Sequence, residues 1–233
     1  MQTPVGSLGR VPSRLLFADP LAAADAMTFA RRAALLGDGL VRLRAEAGVL
    51  ALTSAPLAAA SLLDETPTVL GMRFLAVDPE LVCDLVVDAS ALGPDPSSGA
   101  AVLLPETGRT AAWAGVSPPR TGWTAAGEVG AATLAVRAQA GIAAVARTVP
   151  TDAGEDVVRA VRAAVWGADD DELGGLPQGV AFAAFALGFI AGEETATVRR
   201  SGPWARVSLT RGHVLTRSTV RSGLTAVRAT GAV

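Results

Sequence analysis

Between Leu40 and Ser54 apolar and charged residues alternate with a period of two: Val41, Leu43, Ala45, Leu50 and Leu52 interleave with Arg42, Arg44 and Glu46. This is the pattern of a half-buried β-hairpin. A turn at Ala47-Gly48 sets Ala45 against Leu50 and Leu43 against Leu52, with the apolar side chains on one face and the charged ones on the other. A second alternating stretch follows Pro67. Thr68 to Val77 and Leu81 to Ala89 predict a hairpin closed by Pro79-Glu80, whose apolar face is Leu70, Met72, Phe74, Ala76, Cys83, Leu85 and Val87. Arg73 then lies on the opposite face, diagonal to Asp84 and Asp88.

Helical signals surround these strands. Asp19 as N-cap, Pro20 in the first turn and Gly37 past the end delimit a helix from Pro20 to Leu36. The stretch from Gly127 to Arg147 predicts a helix so rich in Ala and Gly that a neighbour can pack very close to it. Another runs from Ala153 to Trp166, with Asp152 and Glu155 as a capping-box-like start and Val157, Val158, Val161 and Val165 as its apolar stripe. The apolar run Val180 to Ala191 belongs to a buried helix from Gln178 to Ile190. It is too short for a membrane span, which takes roughly 20 residues.

The last predicted element is a hairpin from Thr195 to Val220 around Arg211-Gly212. A short strand, Ala101 to Leu104, follows a loop at Gly93 to Gly99, and Val116 to Gly122 is a second break. The pattern as a whole is α+β: an antiparallel sheet built from β-hairpins and covered by Ala-rich helices. Residues 1–233 form a single domain in this reading, or two intimately packed halves that divide near 93–122. A helix leading into a hairpin occurs twice, at Pro20 to Ser54 and Pro177 to Ser218. That echo sets Val41-Arg42-Leu43 against Ala205-Arg206-Val207, with convergent patterning as the simpler explanation.

Composition removes chemistries. All 20 basic residues are Arg, and Lys, Asn and Tyr are absent. A phosphate-loop lysine, a Schiff-base lysine and a phenolic acid are therefore excluded. The single cysteine, Cys83, permits neither an intramolecular disulfide nor a cysteine zinc cluster and reads as a small buried hydrophobe. Arg10 and Arg14 precede Leu15-Leu16-Phe17, but Asp19, Pro20 and Asp25 interrupt any signal-peptide core. A cytoplasmic location without a membrane partner is expected, and no cofactor or metal is called for.

Charge is the strongest anomaly. Residues 195–233 hold seven Arg and no acid, against thirteen Arg and all 22 acids in residues 1–194. A turn at Arg211-Gly212 pairs Thr210 with His213 and Arg206 with Arg217, gathering Trp204, Arg206, His213 and Arg217 on one face. Like charges directly opposite are unfavourable unless an anion lies between them, and the planar guanidinium fork recognises phosphate and carboxylate. The plainer alternative docks this hairpin on Asp169 to Glu172 or on a second subunit. The acidic net charge, −2, and the lack of interleaved aromatic residues argue against nucleic acid.

Other chemistry is weaker. Asp169-Asp170-Asp171-Glu172 lacks the spacing of a calcium loop. Ser117, a later Asp and His213 follow the chain order of a hydrolase triad, but Pro119 replaces the closing Gly of a nucleophile elbow. Gly37-Asp38-Gly39 is a turn rather than a dinucleotide fingerprint. No catalytic residue is assigned.

Phe17-Ala18-Asp19-Pro20-Leu21, Ala114-Gly115-Val116-Ser117-Pro118-Pro119-Arg120 and Leu176-Pro177-Gln178-Gly179-Val180-Ala181-Phe182 resemble stretches of an uncharacterised protein family of high-GC actinobacteria. The resemblance brings no activity with it. The lead expectation is a non-catalytic cytosolic protein and homo-oligomer, a homodimer, binding a small anionic ligand or a protein partner through Trp204, Arg206, His213 and Arg217. The alternative is a metal-independent or carboxylate-based hydrolase. Converging carboxylates in a pocket would favour the enzyme and an Arg-lined surface would favour binding.

Overall fold

The computed structural model describes residues 13–61 and 64–218. Arg10, Arg221, Arg228 and the final residues of the expected last hairpin lie outside them. The first half of the chain runs β1 (Arg14–Leu16), α1 (Pro20–Ala33), β2 (Leu40–Glu46), β3 (Val49–Leu57), β4 (Thr68–Ala76), β5 (Cys83–Asp88), β6 (Gly93–Pro94) and β7 (Ala101–Leu103). The second runs β8 (Thr124–Gly130), α2 (Ala131–Thr148), α3 (Glu155–Gly167), β9 (Asp169–Asp170), β10 (Leu176–Pro177), α4 (Gly179–Ala186), β11 (Thr195–Ser201), β12 (Trp204–Leu209) and β13 (Gly212–Arg217).

Eight strands form one antiparallel sheet in the order β5-β2-β3-β4-β13-β12-β11-β8. Each half supplies a helix followed by a three-strand meander, α1-β2-β3-β4 and α4-β11-β12-β13, and the two join where β4 pairs with β13. By position in the meander, β2 corresponds to β11 rather than to β12, so the echo read between Arg42 and Arg206 is offset by one strand. Helices cover one sheet face, over a continuous core that includes Phe29, Leu43, Leu52, Leu134 and Phe189.

The first hairpin has the expected register, with Ala45 opposite Leu50 and Leu43 opposite Leu52. Its five apolar residues are all buried. Asp19 caps α1 by accepting a hydrogen bond from the Ala22 N–H at 2.8 Å. The close packing expected of the Ala/Gly-rich helix occurs at Gly141, where an added Cβ would overlap the Trp166 ring. Trp166 in turn stacks on Phe182, with ring centroids 4.2 Å apart.

The second hairpin does not form. β5 leaves β4 and pairs with the free edge of β2, which puts Leu85 opposite Leu43, Val87 opposite Val41 and Asp84 opposite Arg44. This non-local pairing continues the buried face of β2 and sets Asp84 directly opposite Arg44, where the β4–β5 hairpin would set Arg73 only diagonal to it. Leu70, Met72 and Phe74 consequently lie on the sheet face opposite Leu85 and Val87. Arg73 pairs with Asp25 of α1, its Nε at 2.9 Å from Oδ2, instead of with Asp84 or Asp88.

Four further expectations are corrected. Residues 127–130, the expected start of the Ala/Gly-rich helix, are strand, because they continue β8 by pairing with β11 and their two glycines are poor helix formers. α3 begins after Gly154 without a side-chain cap, so no capping box is made. The buried helix stops at Ala186, two residues before Gly188 turns left-handed at φ 71°. In the last hairpin the turn is Thr210-Arg211, one residue earlier than expected, because the Glu194 carboxylate accepts from the Thr210 N–H and hydroxyl at 2.9 and 2.8 Å.

Candidate functional site

The sheet face away from the helices carries the polar side of β2 and the outward residues of β3, β4, β13 and β12. Residues 111–123 fold back over part of it. Trp113 anchors this segment by donating from Nε1 to Asp38 at 2.8 Å and by packing with Leu40, Leu70 and Leu215. Arg42 fastens it from below, donating to the Ala114 carbonyl at 2.7 Å and to the Ser117 hydroxyl at 3.3 Å. The uncovered remainder is a groove of about 470 Å³ between segment and sheet.

Most of the groove's cations are already paired. Arg42 grips Asp84 with two parallel bonds of 2.7 Å, which raises the guanidinium pKa and lowers that of the carboxyl. Glu46, the one carboxylate lining the groove, lies 3.2 Å from Arg120 and 3.8 Å from Arg44.

Arg206 differs. Among the described residues no carboxylate lies within ion-pair distance of it, and its buried Nε has no hydrogen-bond acceptor. Its guanidinium sits 4.6 Å from the centroid of the Trp123 ring. One neighbouring strand puts Leu215 opposite it and the other puts Arg199 opposite it. Burial, and then the charge of Arg199, lowers its pKa. An unsatisfied buried donor costs about 1–3 kcal/mol, and more on a charged group, so this guanidinium is poised to gain from an acceptor.

His213 lies beside it in the same groove. Its Nδ1 is 3.0 Å from the Ser208 hydroxyl and its ring meets Phe74 edge-on at 5.5 Å between centroids. Burial, reinforced by Arg206 and Arg73, depresses its pKa and favours the neutral imidazole.

Of the four residues singled out from the sequence, the structure brings Arg206 and His213 into the groove. Trp204 is buried outside the lining, in a cluster with Trp113 and Leu215, and Arg217 stands opposite it. Arg206 does not oppose Arg217, nor Thr210 His213: Arg206 pairs with Leu215 and His213 with Ser208. The earlier turn moves every partner by two positions, which leaves all four residues on one face. Asp169 to Glu172 do not receive this hairpin: Asp170 is buried against Arg137 of α2, Oδ2 to Nε 2.7 Å.

Sequence reasoning missed Arg42, Arg44, Arg120 and Trp123 as members of the site. The available signal was the charged face of the first hairpin, combined with the Pro-Pro break that lets Arg120 and Trp123 fold back. Ser117 lines the groove but bonds Arg42, not an imidazole. Cys83 is half-buried, and burial raises its thiol pKa. Among the described residues no cluster of three His, Cys, Asp or Glu could hold a metal, and no helix is long and apolar enough to cross a membrane.

Residues 11–115 match a family profile described as a domain of unknown function, DUF8010, and residues 118–221 match a second, DUF8185. No curated protein matches the chain. Among solved structures, a putative DNA polymerase III beta subunit from Eubacterium rectale is 8% identical, with a TM-score of 0.48 over 89% of this chain and 65% of its own. A DNA polymerase sliding clamp from Caulobacter crescentus is 12% identical, with a TM-score of 0.46 over 92% of this chain and 67% of its own. A DnaN sliding clamp from Bartonella birtlesii is 12% identical, with a TM-score of 0.48 over 89% and 65%.

The likeness is one of fold. The chain spans about two thirds of the length of these structures. The expectation that set nucleic acid aside is corrected by them, since the solved structures this α+β chain resembles are described as DNA polymerase clamps. Its physical weakness was the use of net charge: −2 averages a basic C-terminal stretch with an acidic remainder and says nothing about any one surface.

Proposed function

We propose that the outer-face groove binds a small ligand with an apolar or flat body and one anionic group, and that Arg206 receives the anion. The observation that carries this reading is the contrast among its arginines. Arg42, Arg44 and Arg120 each lie within 4 Å of a carboxylate, whereas among the described residues Arg206 has none and keeps a buried Nε without an acceptor. A phosphate or carboxylate offers the charge and the two acceptor positions that a guanidinium fork matches.

The remaining lining fits the rest of such a ligand. Leu70, Met72, Phe74 and Leu215 form an apolar floor and Trp123 a flat wall, and about 470 Å³ lies within the usual range of small-molecule sites. Binding is favoured over hydrolysis because the single lining carboxylate, Glu46, is held by arginines and no pair of carboxylates converges there.

A thermal-shift screen with carboxylates, phosphorylated metabolites and nucleotides, on wild type and Arg206→Gln, tests the proposal. A ligand at a hundred times its Kd adds about 2.7 kcal/mol to stability, several degrees for a domain of this size. The expected result is a salt-sensitive rise in Tm for particular anions that Arg206→Gln loses. An equal rise in both proteins places the ligand elsewhere.

A further inference from the structure

On the helix side of β4 a second, smaller cavity collects arginines of its own. Arg32 near the end of α1, Arg73 on β4 and Arg211 in the β12–β13 turn line a pocket of about 180 Å³, together with Asp25, Leu187 and Gly188. Consecutive strand residues point to opposite faces, so Arg73 lies across the sheet from Met72 and Phe74 and this pocket is separate from the groove.

Its geometry is built rather than incidental. Arg73 is fixed by Asp25 and also donates to the backbone carbonyl of Arg211, which ties the β12–β13 turn to α1. Arg32 is aimed by one bond from Nη1 to the Leu187 carbonyl, 2.7 Å long. Gly188, at φ 71°, makes the room: a Cβ there would collide with the Arg32 guanidinium. Among the described residues, the other N–H groups of Arg32 and the side chain of Arg211 meet no hydrogen-bond acceptor.

Three guanidiniums line the pocket against one lining carboxylate, Asp25; a second carboxylate, Glu194, lies outside the lining but near enough for the Arg211 charge to help lower its pKa. The Thr210 N–H and hydroxyl that bond Glu194 Oε2 are neutral and leave its charge in place, so the three arginines keep a net positive charge against both carboxylates. We infer that this pocket binds a phosphoryl dianion, the terminal phosphate of a phosphomonoester. A phosphomonoester carries about 1.5 to 2 negative charges at neutral pH and three acceptor oxygens, one more than a carboxylate offers to the N–H groups of Arg32 and Arg211. The cavity holds the volume of roughly six liquid waters, enough for the phosphate and its ester oxygen but not for a large body, which stays outside.

Isothermal titration with inorganic phosphate and with glycerol phosphate, at an ionic strength fixed with chloride, tests this inference on wild type, Arg32→Gln, Arg211→Gln and Arg206→Gln. Saturable binding is expected to persist in Arg206→Gln, where the groove can no longer contribute, and to be weakened about tenfold or more by Arg32→Gln or Arg211→Gln. Arg211 is exposed in a turn, so an unchanged Tm for Arg211→Gln without phosphate separates loss of binding from loss of fold. Absence of saturable binding, retention of full affinity in both Arg32→Gln and Arg211→Gln, or loss only in Arg206→Gln overturns it. A duplex oligonucleotide without terminal phosphates forms the last arm. If it binds at the pocket while glycerol phosphate does not, the site serves phosphodiesters and the inference fails.

Discussion

At the scale of single residues, the groove is defined by which charges are answered and which are not. Arg42 and Asp84 answer each other, and Arg206 is left facing Trp123 with Arg199 across the strand pair. His213 reports on the same field. Its folded-state pKa is lowered by burial first and by Arg206 and Arg73 after it, so the unfolded chain binds this proton more readily. The stability tied to the neutral ring is therefore complete above about pH 6.5 and declines as pH falls from there toward the folded value. Urea unfolding at about pH 7.5 and 5.5 checks the sign: wild type loses stability on acidification, and His213→Gln loses less. Asp84, Asp88, Asp95 and Glu194, whose pKa values are lowered by their hydrogen bonds, act below about pH 4 and leave that window clear.

At the scale of elements, the account turns on how strands and the segment 111–123 are held. Arg42 joins β2, β5 through Asp84, and the covering segment through the Ala114 carbonyl. Arg42→Ala should therefore loosen both attachments while costing only about 1–3 kcal/mol of global stability, the usual size for bonds to a charged group. Hydrogen exchange that quickens at residues 112–117 and in β5, and not in β12, is the expected pattern; unaltered protection there would show that Trp113 alone seats the segment.

The same elements show what sequence can and cannot reveal. The β2–β3 hairpin was legible to its register because its turn residues, Ala47 and Gly48, and its alternation agree. β4 and β5 alternate just as well, yet alternation does not say which edge a strand will join. That choice fell to Leu43, Arg44 and Val41 on β2, far away in sequence. Residues 127–130 were misread for a related reason: they run straight into an Ala-rich helix, and only the distant β11 makes them strand. In the candidate site, the shared face of Trp204, Arg206, His213 and Arg217 could be read from alternation. The partners from β2 and the 111–123 segment could not, because they arrive by tertiary packing.

At the scale of the molecule, β4 against β13 fuses two helix-and-meander halves into one sheet, with helices on one side and the groove on the other. The groove straddles this seam: Met72 and Phe74 come from the first half, Arg206 and His213 from the second. The central claim, that an anion docks there on Arg206, has a built-in reporter, because His213 is the only histidine of the chain. The direct measurement is the NMR signal of that imidazole in tag-free protein, followed through a pH titration with and without an anionic ligand found to raise Tm. The account predicts that the ligand moves the signal and raises the His213 pKa, since the added negative charge offsets Arg206, and that Arg206→Gln abolishes both effects. A ligand that stabilises the protein while leaving the His213 resonance and pKa where they were would contradict it.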